Sequence, residues 1–234
     1  VTHSTPAPVT ARLPVRRVAA GIAVLALALA ACTSAAESAS PSPSAASSAA
    51  PSASTGAPGS CPSSQPAALP AGETRTVTIE TAKGTIEIKV DGSLSPIAAG
   101  NFVALAGCGY YDGVVFHRTA ALGDGTPFVI QGGDPTGSGT GGPGYTIQDE
   151  PVTTDYHRGT VAMARTSAPN SQGSQFFIVL SEAAGPILSA YNTYAIFGEV
   201  ASGMDVADAI FAAAGGAELP SNPIAMTTVT VSNP

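Results

Sequence analysis

The feature that most constrains the fold is a change of side-chain period, from strict alternation over residues 75–90 to helical spacing directly after it. Val77 and Ile79 alternate with polar residues, Lys83-Gly84 turns the chain, and Ile86, Ile88 and Val90 alternate again. A period of two belongs to a strand with one buried face, so this stretch predicts a hairpin. Ser95-Pro96 then supplies an N-cap and a first-turn proline, Ala98, Phe102 and Leu105 follow at helical spacing, and Gly107 or Gly109 ends the helix. Further short strands are expected at 114–119, 128–131, 160–165, 175–180, 195–200 and 227–231. A second helix is expected over 205–214, with Val206, Ile210 and Ala213 on one side and Gly215-Gly216 after it. Periodicity alone therefore describes a β-rich domain of eight strands and two helices.

The chain before this domain reads differently. Arg12, Arg16 and Arg17 precede an uncharged run from Val18 to Ala31, the order of an export signal. The run falls short of the roughly 20 residues that a membrane-spanning helix needs. Leu29-Ala30-Ala31-Cys32 resembles a bacterial lipoprotein box, in which the chain is cut before the Cys and its thiol is acylated. A plain secretory signal and an uncleaved anchor are the alternatives. From Thr33 to about Pro70 the chain is Ser, Ala, Pro and Thr with almost no large apolar residue, too little to offset the entropy of ordering. The expected organisation is a lipoprotein signal peptide at 1–31, a flexible linker at 32–70 and a folded domain at 71–234. The product would be exported and tethered through Cys32 to the outer face of the cytoplasmic membrane. With Cys32 carrying lipid, Cys61 and Cys108 remain as an even pair in an oxidising compartment. A disulfide between them would tie the domain's lead-in to the end of its first helix; two free thiols are the other outcome.

All 16 acidic residues lie after Cys32 and three of the nine basic ones before it. A chain starting at Cys32 would carry six bases against sixteen acids, a formal charge of −10. That disfavours nucleic acid, which is bound by clustered Lys and Arg that displace counterions. It equally disfavours adhesion to anionic lipid through a basic patch. The three His, at 3, 117 and 157, have no metal-type spacing, and no Gly-x-Ser-x-Gly elbow supports a Ser–His hydrolase. Gly137-Ser138-Gly139-Thr140-Gly141-Gly142 matches a bare dinucleotide pattern, but Pro143-Gly144 follows where that motif would open a helix.

Three runs remain: Phe116-His117-Arg118, then Pro127-Phe128-Val129-Ile130-Gln131-Gly132-Gly133-Asp134, then Gly173-Ser174-Gln175-Phe176-Phe177-Ile178. One permanent cation, two amides and several aromatics on apolar strands suit a pocket for an apolar, proline-shaped side chain beside a strong hydrogen-bond donor. In this order and spacing the runs resemble the cyclophilin family of peptidyl-prolyl cis-trans isomerases, over roughly Arg75 to the C-terminus.

That resemblance implies a mainly β fold, a closed eight-stranded antiparallel barrel capped by the two helices. It implies Arg118 as the catalytic arginine and Gln131 as the residue that orients it. Phe128, Val129, Phe177 and Leu188 would wall the proline pocket, Val129 standing where Met is frequent in the family. Gln175 would be another polar contact, and the backbone of Ala164-Arg165 would pair with the substrate chain, Arg165 standing where Asn is common. Tyr194 takes a position often held by His. His117, grouped with the substrate-side residues, reads as a structural neighbour of Arg118. The implied partners are proline-containing segments of exported proteins, with no cofactor and no metal, and nothing demands an oligomer. A proline-binding or chaperone module with incidental turnover is the main rival; a small-ligand-binding lipoprotein is a third reading, for which the domain is short. The chain has no Trp, so the family's cyclosporin-contacting tryptophan has no counterpart and weak inhibition by that drug is expected.

Overall fold

A computed structural model describes residues 60–233. The expected signal peptide, Cys32 and all of the expected linker up to residue 59 lie outside them. The described chain runs β1 (Thr74–Thr81), β2 (Gly84–Asp91), α1 (Pro96–Gly107), β3 (Arg118–Ala121), β4 (Pro127–Gly132), β5 (Thr160–Met163), β6 (Phe176–Val179), α2 (Ala184–Tyr191), β7 (Ile196–Ser202), α3 (Met204–Ala213) and β8 (Met226–Ser232).

The eight strands form one sheet in the order β3-β4-β6-β5-β7-β2-β1-β8, with every neighbouring pair antiparallel. The β1–β2 hairpin pairs Val77 with Ile88 and Ile79 with Ile86, so the alternating apolar residues share one face. All four are fully buried.

Two expectations change here. The sheet is curled, and its edge strands β3 and β8 share no ladder among the described residues. The chain just before β3 instead meets the chain just before β8: Val115 bridges Ala225, the Phe116 N–H donates to the Ile224 carbonyl at 2.9 Å, and the Met226 N–H donates to the Val114 carbonyl at 2.8 Å. Val115 also bridges Asp134, but the ladder with β4 is continuous only from Arg118, so β3 starts there and not at Val114. There are also three helices among the described residues, not two. The extra one, α2, begins Ala184-Gly185-Pro186, which in sequence reads as a turn. A proline in a first helical turn sacrifices no hydrogen bond, because those N–H groups have no intrahelical partner. The helix stops at Asn192, whose φ is 47°, a conformation that Asn tolerates better than most residues.

Helix α1 is started by an unforeseen residue. Ser95 holds the N-cap position without a side-chain cap, and its buried hydroxyl has no partner among the described residues. Glu150 caps the helix from 52 residues away, accepting the Ile97 and Ala98 N–H groups on its two oxygens at 2.8 Å each. Ala98, Phe102 and Leu105 are fully buried as their spacing predicts. In α3 the buried residues are Val206, Ala207 and Ile210, while Ala213 is exposed.

Packing begins upstream of the boundary expected at residue 70. Leu69 is buried and its N–H donates to the Pro96 carbonyl at 2.9 Å. This lead-in lies so close to α1 that a Cβ on Gly100 would collide with the Ala67 carbonyl. Cys61 is disulfide-bonded to Cys108, which caps the C-terminus of α1, with Cα atoms 5.2 Å apart.

The sheet buries apolar residues on both faces. Inside, Phe102, Tyr111, Phe116, Ile130, Val161, Met163, Phe176, Ile178 and Phe197 belong to the main core. Outside, Val129, Ala162, Phe177 and Val179 pack with Leu188, Tyr156 and Ile196 in a second cluster. The alternation along β4, β5 and β6 sends neighbours in sequence to opposite clusters.

Candidate active site

The candidate site grows from the outer cluster. Arg118, the first residue of β3, is opposite Gln131 on β4; Gln131 is opposite Phe177 on β6; Phe177 is opposite Ala162 on β5. Residues directly opposite in antiparallel strands project to the same face. One line across four strands therefore gathers side chains from all three sequence motifs.

A register slip completes the wall. Ala120 pairs with Val129 but Ala121 pairs with Pro127, which leaves Phe128 as an extra residue on β4. Such a bulge re-aims a side chain, and Phe128 and Val129, though consecutive, both line the same cleft. That cleft has a volume of about 160 Å³ and is lined by Arg118, Phe128, Val129, Gln131, Ala164, Arg165, Phe177, Leu188 and Tyr194. Leu188 reaches it from α2, and the Tyr194 ring stands edge-on to Phe177 at 5.4 Å between centroids.

The polar side of the cleft is a chain of hydrogen bonds. Arg118 Nη1 donates to Gln131 Oε1 at 3.3 Å, Gln131 Nε2 donates to Gln175 Oε1 at 2.9 Å, and Gln175 Nε2 donates to the carbonyls of Gly139 and Gly141 at 3.0 and 2.9 Å. Gln175 thus acts behind the cleft and not in its lining. It faces an adjoining groove of about 340 Å³ that shares Gln131, Ala164 and Arg165 with the cleft.

The glycine-rich run opens no helix. It is a loop folded over Asp134, a fully buried carboxylate that accepts hydrogen bonds from the Thr136 N–H at 2.7 Å, the Thr136 hydroxyl at 2.8 Å, the Gly139 N–H at 2.6 Å and the Gly141 N–H at 3.0 Å. Burial alone would raise the pKa of Asp134. The donors from Gly141, Thr136 and Gly139 outweigh it and hold the group well below the usual carboxylate range.

One residue differs from its expected place. His117, grouped with the substrate-side residues from sequence, does not line the cleft: it is buried, and neither ring nitrogen has a hydrogen-bond partner among the described residues. Burial pushes its pKa down, against the pull of Asp134. The Arg165 side chain is a structural tie, paired with Asp149 at 3.0 Å and donating to the carbonyls of Ala168 at 2.8 Å, Thr166 at 3.1 Å and Thr193 at 3.4 Å. The Ala164 N–H is taken by the Gln175 carbonyl at 2.9 Å, so of the Ala164 backbone its carbonyl is what can meet a second chain.

Sequence reasoning missed Glu218, whose carboxylate meets Arg118 Nη2 at 2.7 Å. It lies 100 residues away in no recognisable motif, and nothing in the sequence signals the pairing. Among the described residues no group of three or more His, Cys, Asp or Glu is placed to hold a metal ion. The arrangement can grip an apolar ring between Phe128, Phe177 and Leu188 while presenting a permanent cation to the polar atoms beside that ring.

Residues 76–231 match the family described as cyclophilin type peptidyl-prolyl cis-trans isomerase/CLD. Peptidyl-prolyl cis-trans isomerase A of Mycobacterium tuberculosis (strain ATCC 25618 / H37Rv) is 37% identical over 179 residues, covering 68% of this chain and 93% of its own. Peptidyl-prolyl cis-trans isomerase CYP18-2 of Arabidopsis thaliana is 40% identical over 139 residues, 58% of this chain and 79% of its own. A cyclophilin type peptidyl-prolyl cis-trans isomerase of Cryptosporidium parvum, solved in the presence of the dipeptide Ala-Pro, superposes with a TM-score of 0.58 at 32% identity, over 68% of this chain and 99% of its own.

Proposed function

This chain belongs to the cyclophilin-type peptidyl-prolyl cis-trans isomerases, and we propose that it works by holding proline in the Phe128–Phe177–Leu188 cleft while Arg118 stabilises the twisted X-Pro bond. Rotation about a peptide bond faces a barrier of about 18–20 kcal/mol, yet for X-Pro the cis form lies only about 0.5–1 kcal/mol above trans. No bond is broken; a catalyst needs only to bind the twisted amide better than either planar form. Twisting ends the amide resonance and leaves a lone pair on the proline nitrogen. Arg118 stays charged at any working pH and offers fixed N–H donors to that pair. Apolar walls strengthen the interaction by excluding water. Gln131 orients the guanidinium, and Gln175 holds Gln131 from behind. The carrying observation is the line Arg118–Gln131–Phe177 across three strands, which sets the cation beside the apolar cleft. Arg118→Ala should lower kcat/KM on an Ala-Pro tetrapeptide by about 10²–10³-fold, the cost of one transition-state donor. Undiminished turnover in that variant would refute the role given to Arg118.

The reading extends to setting. The chain acts on proline-containing segments of exported proteins, as a monomer tethered by lipid on Cys32 to the outer face of the cytoplasmic membrane. The export-type N-terminus supports this, and so does the Cys61–Cys108 bond, since structural disulfides persist in oxidising compartments. Cys32→Ala should move the protein from the membrane fraction to the soluble one; unchanged partitioning would remove the tether. The reading also includes closure of the curled sheet into a barrel, which the Val115–Ala225 bridge supports in place of a β3–β8 ladder. Slow hydrogen exchange at the Phe116 and Met226 amides would support that closure, and rapid exchange at both would exclude it.

A further inference from the structure

Arg118 is held from two sides. Gln131 takes one N–H of Nη1 at 3.3 Å. On the other flank Glu218 Oε1 accepts from Nε at 2.8 Å and from Nη2 at 2.7 Å. A guanidinium has five N–H donors, one on Nε and two on each Nη. Three are engaged, which leaves one on Nη1 and one on Nη2.

Glu218 is not placed there by its side chain alone. It sits in the connection between α3 and β8, and its own backbone carbonyl accepts the Thr119 N–H at 2.9 Å. The preceding Ala217 carbonyl accepts the Thr119 hydroxyl at 2.7 Å. The loop is thus fastened to β3 one residue from Arg118. Glu218 itself does not line the cleft, and its side chain is 63% exposed. Exposed ion pairs contribute little to stability. Its position at the Nε edge matters for another reason: Arg118 is itself about a third exposed, and without a partner on that edge its long side chain would sample other rotamers.

We propose that Glu218 is a positioning residue for Arg118, fixing the guanidinium plane so that the two free Nη donors face the proline cleft. This rests on the isomerase reading given above. The carboxylate never meets substrate; it acts by restricting the arginine, and small misplacements of a catalytic group are costly in rate.

Exchange NMR on the whole chain with an Ala-Pro tetrapeptide separates kcat from KM. Glu218→Ala should lower kcat about tenfold with KM within about twofold, because the walls that hold the ring are untouched. Glu218→Gln keeps an oxygen acceptor for Nε and should recover activity to within about threefold of the unaltered chain. In an Arg118→Lys background, which lacks the Nε edge, Glu218→Ala should cause no further loss. A kcat for Glu218→Ala equal to or above that of the unaltered chain would overturn the inference, the latter by showing that the carboxylate damps the cation. An equal loss in both backgrounds would overturn it too. Turnover that Arg118→Ala abolishes and Glu218→Ala leaves intact would sink this inference alone, whereas no turnover in the unaltered chain would sink the isomerase reading together with it.

Discussion

Phe176 and Phe177 are neighbours on β6 with the same side chain and nearly the same burial, and they serve opposite faces of one sheet. Phe176 is fully buried in the main core, with its ring 5.0 Å from Phe102, 5.7 Å from Tyr111 and 6.2 Å from Phe116, each edge to face. Phe177 packs outward against Tyr194 and borders the cleft. The same division runs along β4, where Ile130 points to the core and Val129 to the cleft, and along β5, where Val161 and Met163 flank Ala162. A strand buried on both faces keeps function and stability one residue apart. The outer face can hold an open cleft because the inner one supplies the packing that keeps the strands in register.

Substitutions can break that division or sharpen it. Phe176→Ala should be the most damaging, destabilising the fold by about 3–5 kcal/mol through lost transfer energy and an internal cavity. Urea denaturation reads that loss, while the folded fraction should keep the kcat of the unaltered chain. Phe177→Ala should reverse the emphasis: KM for an X-Pro peptide rises about tenfold, with less loss of stability than Phe176→Ala because the site already borders open space. Equal stability losses at the two positions would show that the faces are not separate.

Asp134 tests where the two roles meet, since it is buried like a core residue yet holds the loop that receives Gln175. Its pKa is lowered from an unfolded value of 3.8. The stability it contributes is therefore complete above about pH 4 and is lost as pH falls below that value. Asp134→Asn should cost about 1–3 kcal/mol at neutral pH and flatten the acid limb of the stability profile. An unaltered acid limb would show that the carboxylate is not stabilised by its loop.

Much of this was legible in the sequence because periodicity reports burial directly. The hairpin alternation and the α1 stripe of Ala98, Phe102 and Leu105 both state which side chains face the core. The residues lining the cleft could be named before any coordinate, through the motifs of a family. What stayed hidden depends on pairing at a distance. Glu150 caps α1 and Glu218 holds Arg118, and each is an ordinary exposed-type acid in sequence. The Phe128 bulge is a property of two strands in register, so one strand's sequence does not carry it. Helix α2 was masked by Gly185 and Pro186, which mark turns except in the first turn of a helix. His117 lies just before β3 and is buried away from the cleft, so its adjacency to Arg118 in sequence does not carry it into the lining.

The most direct test of the account is a crystal structure of the chain with a bound Ala-Pro tetrapeptide. The account predicts the pyrrolidine ring between Phe128 and Phe177, against Leu188, with an Arg118 Nη atom about 3 Å from the prolyl nitrogen. A peptide seated elsewhere, or a guanidinium turned away from an occupied cleft, would contradict it.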